Sequence, residues 1–252
     1  MLRAFSAGSA ARWLNQRRSF PVLLLSLVIV AVSAGRASAD PLSLTLVNNL
    51  AGANVRVTYT APTPDYPNGF TLSGFAGEML VQSGPGVGFL AFCVDLAHFV
   101  GVGQTFLANP YRSDSPTNGL TNGGQVAYLA NSVASTSLNN VQAAGLQIAI
   151  WSELYDNGAG FDSGVFQYTA AENPNDPYYS AIAAAATNYL LDAQGQSSVA
   201  TWYDGSPSGA GQWRGQSMID PAVPAPSSLV LSLLGLGCLG IASAWRRRLL
   251  LA

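Results

Sequence analysis

A cysteine and a glutamine, 54 positions apart, are the two residues best able to do chemistry in this chain. Cys93 lies in the segment FCVD at 92–95, and Gln147 lies in the segment LQIAIW at 146–151. A thiolate is a good nucleophile, whereas a glutamine carboxamide is a poor electrophile. Held together away from water, the two can lose ammonia and form an internal thioester. This acyl group can later react with an external nucleophile. The spacing is too long for a local motif, so we expect a tertiary contact between a strand and a helix.

The cysteine count makes Cys93 unusual for an exported protein. The only other cysteine, Cys238, lies in an apolar C-terminal stretch that we predict to be removed. A single remaining cysteine forms no internal disulfide, and a leftover thiol in an oxidising compartment needs an explanation. Either it is a buried, inert side chain, or it is half of a thioester. The sequence contains no lysine, which is compatible with a thioester that must not react with its own chain.

These two segments resemble the thioester domains of bacterial surface adhesins. In that family a Cys in a Tyr/Phe-Cys-aliphatic setting bonds to the Gln of a Thr-Gln-x-Ala-Ile-Trp segment, and here Leu146 stands in place of the Thr. The resemblance implies a bond between Cys93 and Gln147. The surrounding residues are predicted to be Phe92, Asp95, Ala149, Ile150 and Trp151. The alternative for Gln147 is a buried amide that backbone groups satisfy.

The N-terminal 39 residues have the pattern of a signal peptide. Arg17 and Arg18 precede an apolar run at 20–32, and the small-x-small segment Ala37–Ala39 follows. Cleavage is therefore predicted between Ala39 and Asp40. The arginine pair also resembles a twin-arginine signal, so the ordinary secretory route and the twin-arginine route both stay open.

The C-terminal residues 221–252 contain an apolar span at 229–245 that is long enough to cross a thin bilayer. Pro224, Ala225 and Pro226 precede the span, and Arg246, Arg247 and Arg248 follow it. This order resembles the PEP-CTERM sorting tail of Gram-negative bacteria, with Ala225 in place of the usual Glu of the sorting motif. The positive charge places the C-terminus in the cytoplasm and the main body outside the inner membrane. The resemblance implies cleavage by an exosortase-type protease and release to the cell surface or matrix; a plain membrane anchor is the alternative.

The domain between these ends, residues 40–220, is acidic. Residues 40–226 carry three arginines and all 13 acidic residues, so their formal net charge is −10. Such a surface should repel nucleic acid and anionic lipid, which leaves membrane contact to the sorting tail alone. We find no phosphate loop or zinc spacing and predict no cofactor and no metal. A calcium site in the loop from Asp156 to Ser163 is a weaker alternative to a solvated turn, and a hydrolase role for His98 is weaker than that of a polar strand-end residue.

Hydropathy patterns predict an α+β fold, a β-barrel or β-sandwich with an inserted helical section. Strands are predicted at 42–47, 54–60, 70–75, 78–82, 88–96, 199–203 and 212–218, with a loop at 109–122. Helices are predicted at 124–133, from about 139 to 155, and from 175 to 190. The second helix is expected to be amphipathic, with Val141, Ala144, Ile148, Trp151 and Tyr155 as its apolar stripe and Gln147 at the margin.

The predicted function is covalent attachment of an exported surface or biofilm-matrix protein to an amine or hydroxyl on a surface or polysaccharide. Cys93 is the acyl carrier and Gln147 the acyl donor. Because nothing regenerates the electrophile, this is adhesion and not enzyme catalysis. The alternative is a non-covalent structural protein of the exopolysaccharide matrix, in which both residues are packed core.

Overall fold

A long antiparallel hairpin is the first element of the fold. The computed structural model describes residues 41–63, 66–86, 88–133, 136–169, 177–205 and 215–221, which belong to a compact unit that begins at Pro41. The hairpin strands are β1, Leu42–Tyr59, and β2, Phe70–Ser83. They pair from Leu44 opposite Ser83 to Tyr59 opposite Phe70.

In the described part of the chain, five shorter strands complete a mostly antiparallel, sheet-rich α+β fold. They are β3 (Gly88–Cys93), β4 (Thr105–Arg112), β5 (Phe166–Thr169), β6 (Thr201–Asp204) and β7 (Met218–Asp220). The strand order is β2-β3-β7-β6-β4-β1-β5, and β1 also pairs with β2. The pairings of six strands therefore form a closed ring, and β5 lies outside it on the second half of β1.

Three helices of the described residues lie in sequence between β4 and β6. They are α1 (Gly123–Asn131), α2 (Asn140–Asp156) and α3 (Pro177–Ala193). The predicted ends of α2 are confirmed. Asn139 and Gln142 form a capping box at its start, and Asn157 adopts the left-handed conformation, with φ of 53°, at its end.

The predicted breaks within β1 and β2 are wrong. Separate strands are predicted at 42–47 and 54–60, and again at 70–75 and 78–82, yet the first two belong to the continuous strand β1 and the last two to the continuous strand β2. The ladder shifts register between Leu46 and Asn48 and again between Asn49 and Gly52, which pairs with Gly77. Both irregularities are bulges of β1, at Val47 and at 50–51 opposite Glu78, and such bulges bend a long hairpin without ending it.

The region from 105 to 122 also differs from the prediction of a loop at 109–122. Strand β4 extends through Arg112 because it changes partners, pairing with β1 up to Ala108 and with β6 from Asn109 onwards. Pro110 is tolerated because β4 has only one partner there. The strand predicted at 88–96 ends earlier, at Cys93. Strand β5 was not predicted. The last strand, predicted at 212–218, is observed as β7, which begins at Met218.

Helix α2 is buried on all sides, so the prediction of an amphipathic helix with one apolar stripe is wrong. Every residue from Ala143 to Glu153 is buried. The helix contacts β1 and β2, and it also contacts α1, α3 and β5. A helix with neighbours all round has no solvent face to pattern.

The structure describes neither the N-terminal 40 residues nor residues 222–252. The signal peptide at 1–39, the cleavage site at Ala39 and Asp40, and the sorting tail from residue 222 onwards lie outside the described residues. Within the described ranges, none of the helices has both the length and the apolar character needed to cross a bilayer.

Candidate functional site

Cys93 and Gln147 meet where the sheet contacts the central helix. Cys93 is the last residue of β3 and pairs with Met218 of β7. Gln147 lies near the middle of α2 and is completely buried. The tertiary contact between a strand and a helix, expected from the spacing of 54 residues, is present in the structure.

The Gln147 carboxamide pairs with both backbone groups of Cys93. The Cys93 N–H donates to Gln147 Oε1 at 3.0 Å, and Gln147 Nε2 donates to the Cys93 carbonyl oxygen at 2.6 Å. The carbonyl carbon of the glutamine is thus held against the residue that carries the thiol. The Cys93 N–H also lies where it can stabilise the oxyanion that forms when the sulfur attacks that carbon.

The Cys93 sulfur is surrounded by polar groups, although the side chain is only 2% exposed. The thiol donates to the Asp95 carbonyl oxygen at 2.8 Å, and the Asp95 N–H donates back to the sulfur at 3.3 Å. Gln216 Nε2 donates to the sulfur at 2.6 Å. An inert buried cysteine behaves as a small apolar side chain and needs none of these partners.

The protonation state of Cys93 follows from its burial. Desolvation, assisted by the negative charge of Asp95, raises the pKa of the thiol to about 12, although the hydrogen bonds from Asp95 and Gln216 favour the thiolate. The resting side chain is therefore a thiol at neutral pH. Attack on Gln147 requires the sulfur to lose its proton, and departure from a thioester requires the sulfur to be stabilised or protonated.

Trp151 lies one helical turn after Gln147 and is 3% exposed. Its indole Nε1 is buried and makes no hydrogen bond to the described residues, but it is near enough to Cys93 to favour the thiolate and lower the pKa of the thiol. A buried donor without a partner is costly. Trp151 is therefore a candidate donor to a charged sulfur.

Tyr155, a further turn along α2, fixes the segment after Cys93. Its hydroxyl accepts from the Leu96 N–H at 3.1 Å and donates to the Val94 carbonyl oxygen at 3.3 Å. Burial and the charge of Asp95 raise the pKa of Tyr155, so the hydroxyl keeps its proton. Gln147, Trp151 and Tyr155, spaced at i, i+4 and i+8, thus present one polar row to the chain around Cys93.

The other predicted surrounding residues form the core beneath the site. Phe92 is buried and pairs with Ile219, and Ala149 and Ile150 are buried within α2. Because Ala149 is two positions from Gln147, it faces the opposite side of the helix. These residues position the site but bring no polar atom to the sulfur in the described structure.

Asp95 organises the loop after β3. Its carboxylate accepts from the Ala97 and His98 N–H groups at 2.8 and 3.3 Å and contacts His98 Nδ1 at 2.7 Å. His98 is thus held by Asp95 next to the site, as a polar residue just after the strand.

In the acidic loop, Asp156 accepts from the Val165 and Phe166 N–H groups. Among the described residues no group of three or more acidic, histidine or cysteine side chains is arranged to hold a metal.

Sequence reasoning missed Gln216 and the bridging role of Tyr155. Gln216 lies two residues before β7, and β7 is the neighbour of β3 at Cys93. No spacing in the sequence indicates that pairing, because it joins segments more than 120 positions apart. Tyr155 carried a weak signal, since it lies eight residues after Gln147 in a predicted helix.

Comparisons of the chain with models of known protein families, with curated proteins and with solved structures found no match. The resemblance to thioester domains therefore rests on the residues around Cys93 and Gln147, and the function proposed below rests on their geometry.

Proposed function

We propose that this is an exported protein that captures its target covalently through a thioester between Cys93 and Gln147. The observation that carries the proposal is the polar environment of one buried sulfur. Asp95 and Gln216 donate hydrogen bonds to Cys93 Sγ, and Trp151 holds a buried donor close by that has no hydrogen-bond partner among the described residues. Donors around a sulfur stabilise it when it is charged, which is needed when a carbon–sulfur bond forms or breaks.

The proposed chemistry occurs in two balanced steps. In the first, Cys93 Sγ attacks the Gln147 carbonyl carbon, the carbon–nitrogen bond breaks, and the thiol proton leaves with the amide nitrogen as ammonia. In the second, an external amine or hydroxyl attacks the same carbon, the carbon–sulfur bond breaks, and the nucleophile's proton passes to the sulfur. The target is left as an amide or ester of residue 147, and nothing restores the electrophile, so the protein is not an enzyme.

We propose that the ends of the chain determine its location. Residues 1–39 act as a signal peptide, and residues 221–252 act as a PEP-CTERM-type sorting tail that an exosortase-type protease removes. The protein is then anchored in the membrane transiently and released to the cell surface or extracellular matrix. The acidic surface fits a partner that is neither nucleic acid nor anionic lipid.

For the domain at 40–220 we propose the barrel form of the predicted architecture. The closed ring of pairings from β1 through β2, β3, β7, β6 and β4 supports it. The helical section is inserted between β4 and β6 and supplies Gln147. The bond between Cys93 and Gln147 then fastens that section to the barrel.

A non-covalent matrix protein is the second candidate. It is favoured by the Gln147 amide, whose oxygen and nitrogen both already have backbone partners at Cys93. A buried amide satisfied in this way is ordinary in a protein core. The two candidates predict different protein masses, because only thioester formation removes one ammonia from the chain.

Intact mass spectrometry tests the proposed function. The full-length chain is produced through an export pathway, kept free of amine buffers, and compared with its Cys93→Ala and Gln147→Ala variants. Relative to its own sequence, the wild type should weigh one ammonia less and both variants should show full mass. Methylamine should add its whole mass to the wild type at Gln147 and leave both variants unchanged.

Thiol alkylation is the second measurement, and the pKa of Cys93 dictates its conditions. Because the thiol is buried and protonated, even an opened thioester should alkylate slowly in the folded protein. The protein is therefore unfolded rapidly in acid, and the pH is then raised to neutrality with the alkylating agent present, so that the exposed thiol can form the thiolate that reacts. Full sequence mass together with one alkylated thiol in untreated wild type would support the packed-core alternative.

A further inference from the structure

Four asparagines of this chain are each followed directly by glycine. They are Asn68, Asn118, Asn122 and Asn157. In an Asn-Gly pair the glycine nitrogen can attack the side-chain amide carbon, because glycine has no Cβ to obstruct the approach. Both groups belong to one chain, so the reaction is unimolecular and depends on how freely they can meet. The four pairs share this local chemistry, and a difference in reactivity between them must come from the fold.

The fold holds two of these asparagines at the junction between α1 and α2. Asn122 immediately precedes α1, and Asn157 immediately follows α2. Asn122 Nδ2 donates to Asn157 Oδ1 at 3.0 Å and to the Glu153 carbonyl oxygen at 2.9 Å. Both asparagines have left-handed backbones, with φ of 49° and 53°. The bonds between their side chains must break before either amide carbon can turn towards the following glycine nitrogen.

The other two asparagines lie in exposed turns. Asn68 lies between β1 and β2, and Asn118 lies between β4 and α1. Both residues are exposed, and neither side chain has a hydrogen-bond partner among the described residues. In all four pairs the glycine N–H donates to a backbone carbonyl, so that bond does not distinguish them. Exposed turns open locally at little cost in free energy, which leaves the side chains of Asn68 and Asn118 free to react.

We propose that Asn68 and Asn118 are sites of spontaneous succinimide formation and deamidation, and that the fold protects Asn122 and Asn157. The glycine nitrogen attacks the asparagine Cγ, the Cγ–Nδ2 bond breaks, and the glycine N–H proton leaves with Nδ2 as ammonia. Water then opens the ring at either of its carbonyl carbons and leaves aspartate or isoaspartate.

The modification changes both charge and backbone at the two turns. Each hydrolysed ring adds one carboxylate to a domain that is already acidic. Isoaspartate also inserts the side-chain carbon into the backbone, which lengthens the turn that joins the neighbouring elements. The reaction involves neither Cys93 nor Gln147, so the inference is independent of the proposed thioester. Ring closure also expels one ammonia, and the Cys93→Ala variant separates this loss from thioester formation.

Ageing of the full-length exported Cys93→Ala variant tests the proposal. The folded protein is kept at mildly alkaline pH, and peptide mapping by mass spectrometry follows conversion at each Asn-Gly pair. The matched control is the same chain unfolded in guanidinium chloride, in which all four pairs should convert at rates within severalfold of one another. In the folded protein, Asn68 and Asn118 should convert at least about tenfold faster than Asn122 and Asn157, because hydrogen bonds hold the latter side chains.

Two results would overturn the proposal. One is conversion of Asn122 or Asn157 in the folded protein at the rate of the exposed pair. The other is a folded protein in which Asn68 and Asn118 stay intact while the unfolded control converts. Neither result bears on the proposed function, which depends on the loss of ammonia at Gln147 in freshly prepared wild type.

Discussion

At the scale of single residues, the Cys93 thiol is a poor nucleophile at rest, but hydrogen-bond donors surround its sulfur and can stabilise a negative charge on it. Burial raises the pKa of Cys93 to about 12, yet Gln216 and the Asp95 N–H both donate to its sulfur. These donors gain most strength when the sulfur carries charge, because hydrogen bonds to charged groups are stronger than those between neutral groups. They are therefore expected to act on the rate of bond making and breaking more than on the resting structure.

The variant Gln216→Leu should retain its fold and lose reactivity. A hydrogen bond to a charged group contributes about 1.5–3 kcal/mol, so the rate of methylamine incorporation should fall by about tenfold or more. The rate is measured by intact mass over time. The matched control is Gln194→Leu, an exposed glutamine just after α3, which should react like the wild type. If the Gln216→Leu variant reacted at the wild-type rate, Gln216 would have no role in the reaction.

At the scale of elements, the placement of Gln147 depends on how closely α2 and α3 pack. Gly145 lies two residues before Gln147, and a Cβ added there would approach Ala185 Cβ to 2.6 Å and the Ala186 nitrogen to 3.0 Å. Glycine is an unfavourable residue in a helix interior, costing about 1 kcal/mol relative to alanine. Its presence in a buried helix is explained by this close contact between helices.

The variant Gly145→Ala should therefore destabilise the protein despite its better helix propensity. Overpacking of a tight interface costs about 1–3 kcal/mol, which exceeds the propensity gain. Denaturant unfolding gives the free energy of unfolding. Gly74→Ala in β2 is the control, because an added Cβ there meets no atom within 4 Å. Equal stability of the Gly145→Ala variant and the wild type would mean that α3 moves aside at little cost.

At the scale of the whole molecule, the proposed bond ties the ring of strands to the helices inserted into it. It closes a loop of about 54 residues, for which the chain-entropy treatment of cross-links gives about 4 kcal/mol. Wild type opened by methylamine should unfold at a lower denaturant concentration than untreated wild type of the same sequence. Cys93→Ala treated in the same way serves as the control and should not change. Coincident unfolding curves for opened and untreated wild type would argue against a cross-link.

The pH dependence of stability should contain a contribution from Asp220 in β7. Burial raises the pKa of Asp220 to about 6, above its value in the unfolded chain. The folded state therefore binds this proton more tightly, and the stability it contributes is complete below about pH 4 and is lost as pH rises through about 6. Asp220→Asn should unfold at higher denaturant concentration than the wild type at pH 7.5, and this advantage should shrink towards pH 4. A difference that is constant over this range would show that the carboxyl group does not titrate as described.

The sequence by itself determined the sheet-rich α+β class, the capped ends of α2 and the choice of Cys93 and Gln147, because these depend on local periodicity, capping chemistry and residue type. It did not determine that β1 continues through bulges at Val47 and 50–51, since such irregularities are visible only once β1 and β2 are paired. Only the tertiary structure brought Gln216 to the sulfur and gave α2 neighbours on every side. The physical reason is that both results depend on contacts between segments far apart in the chain, and such contacts leave no periodic signal in the sequence of either partner.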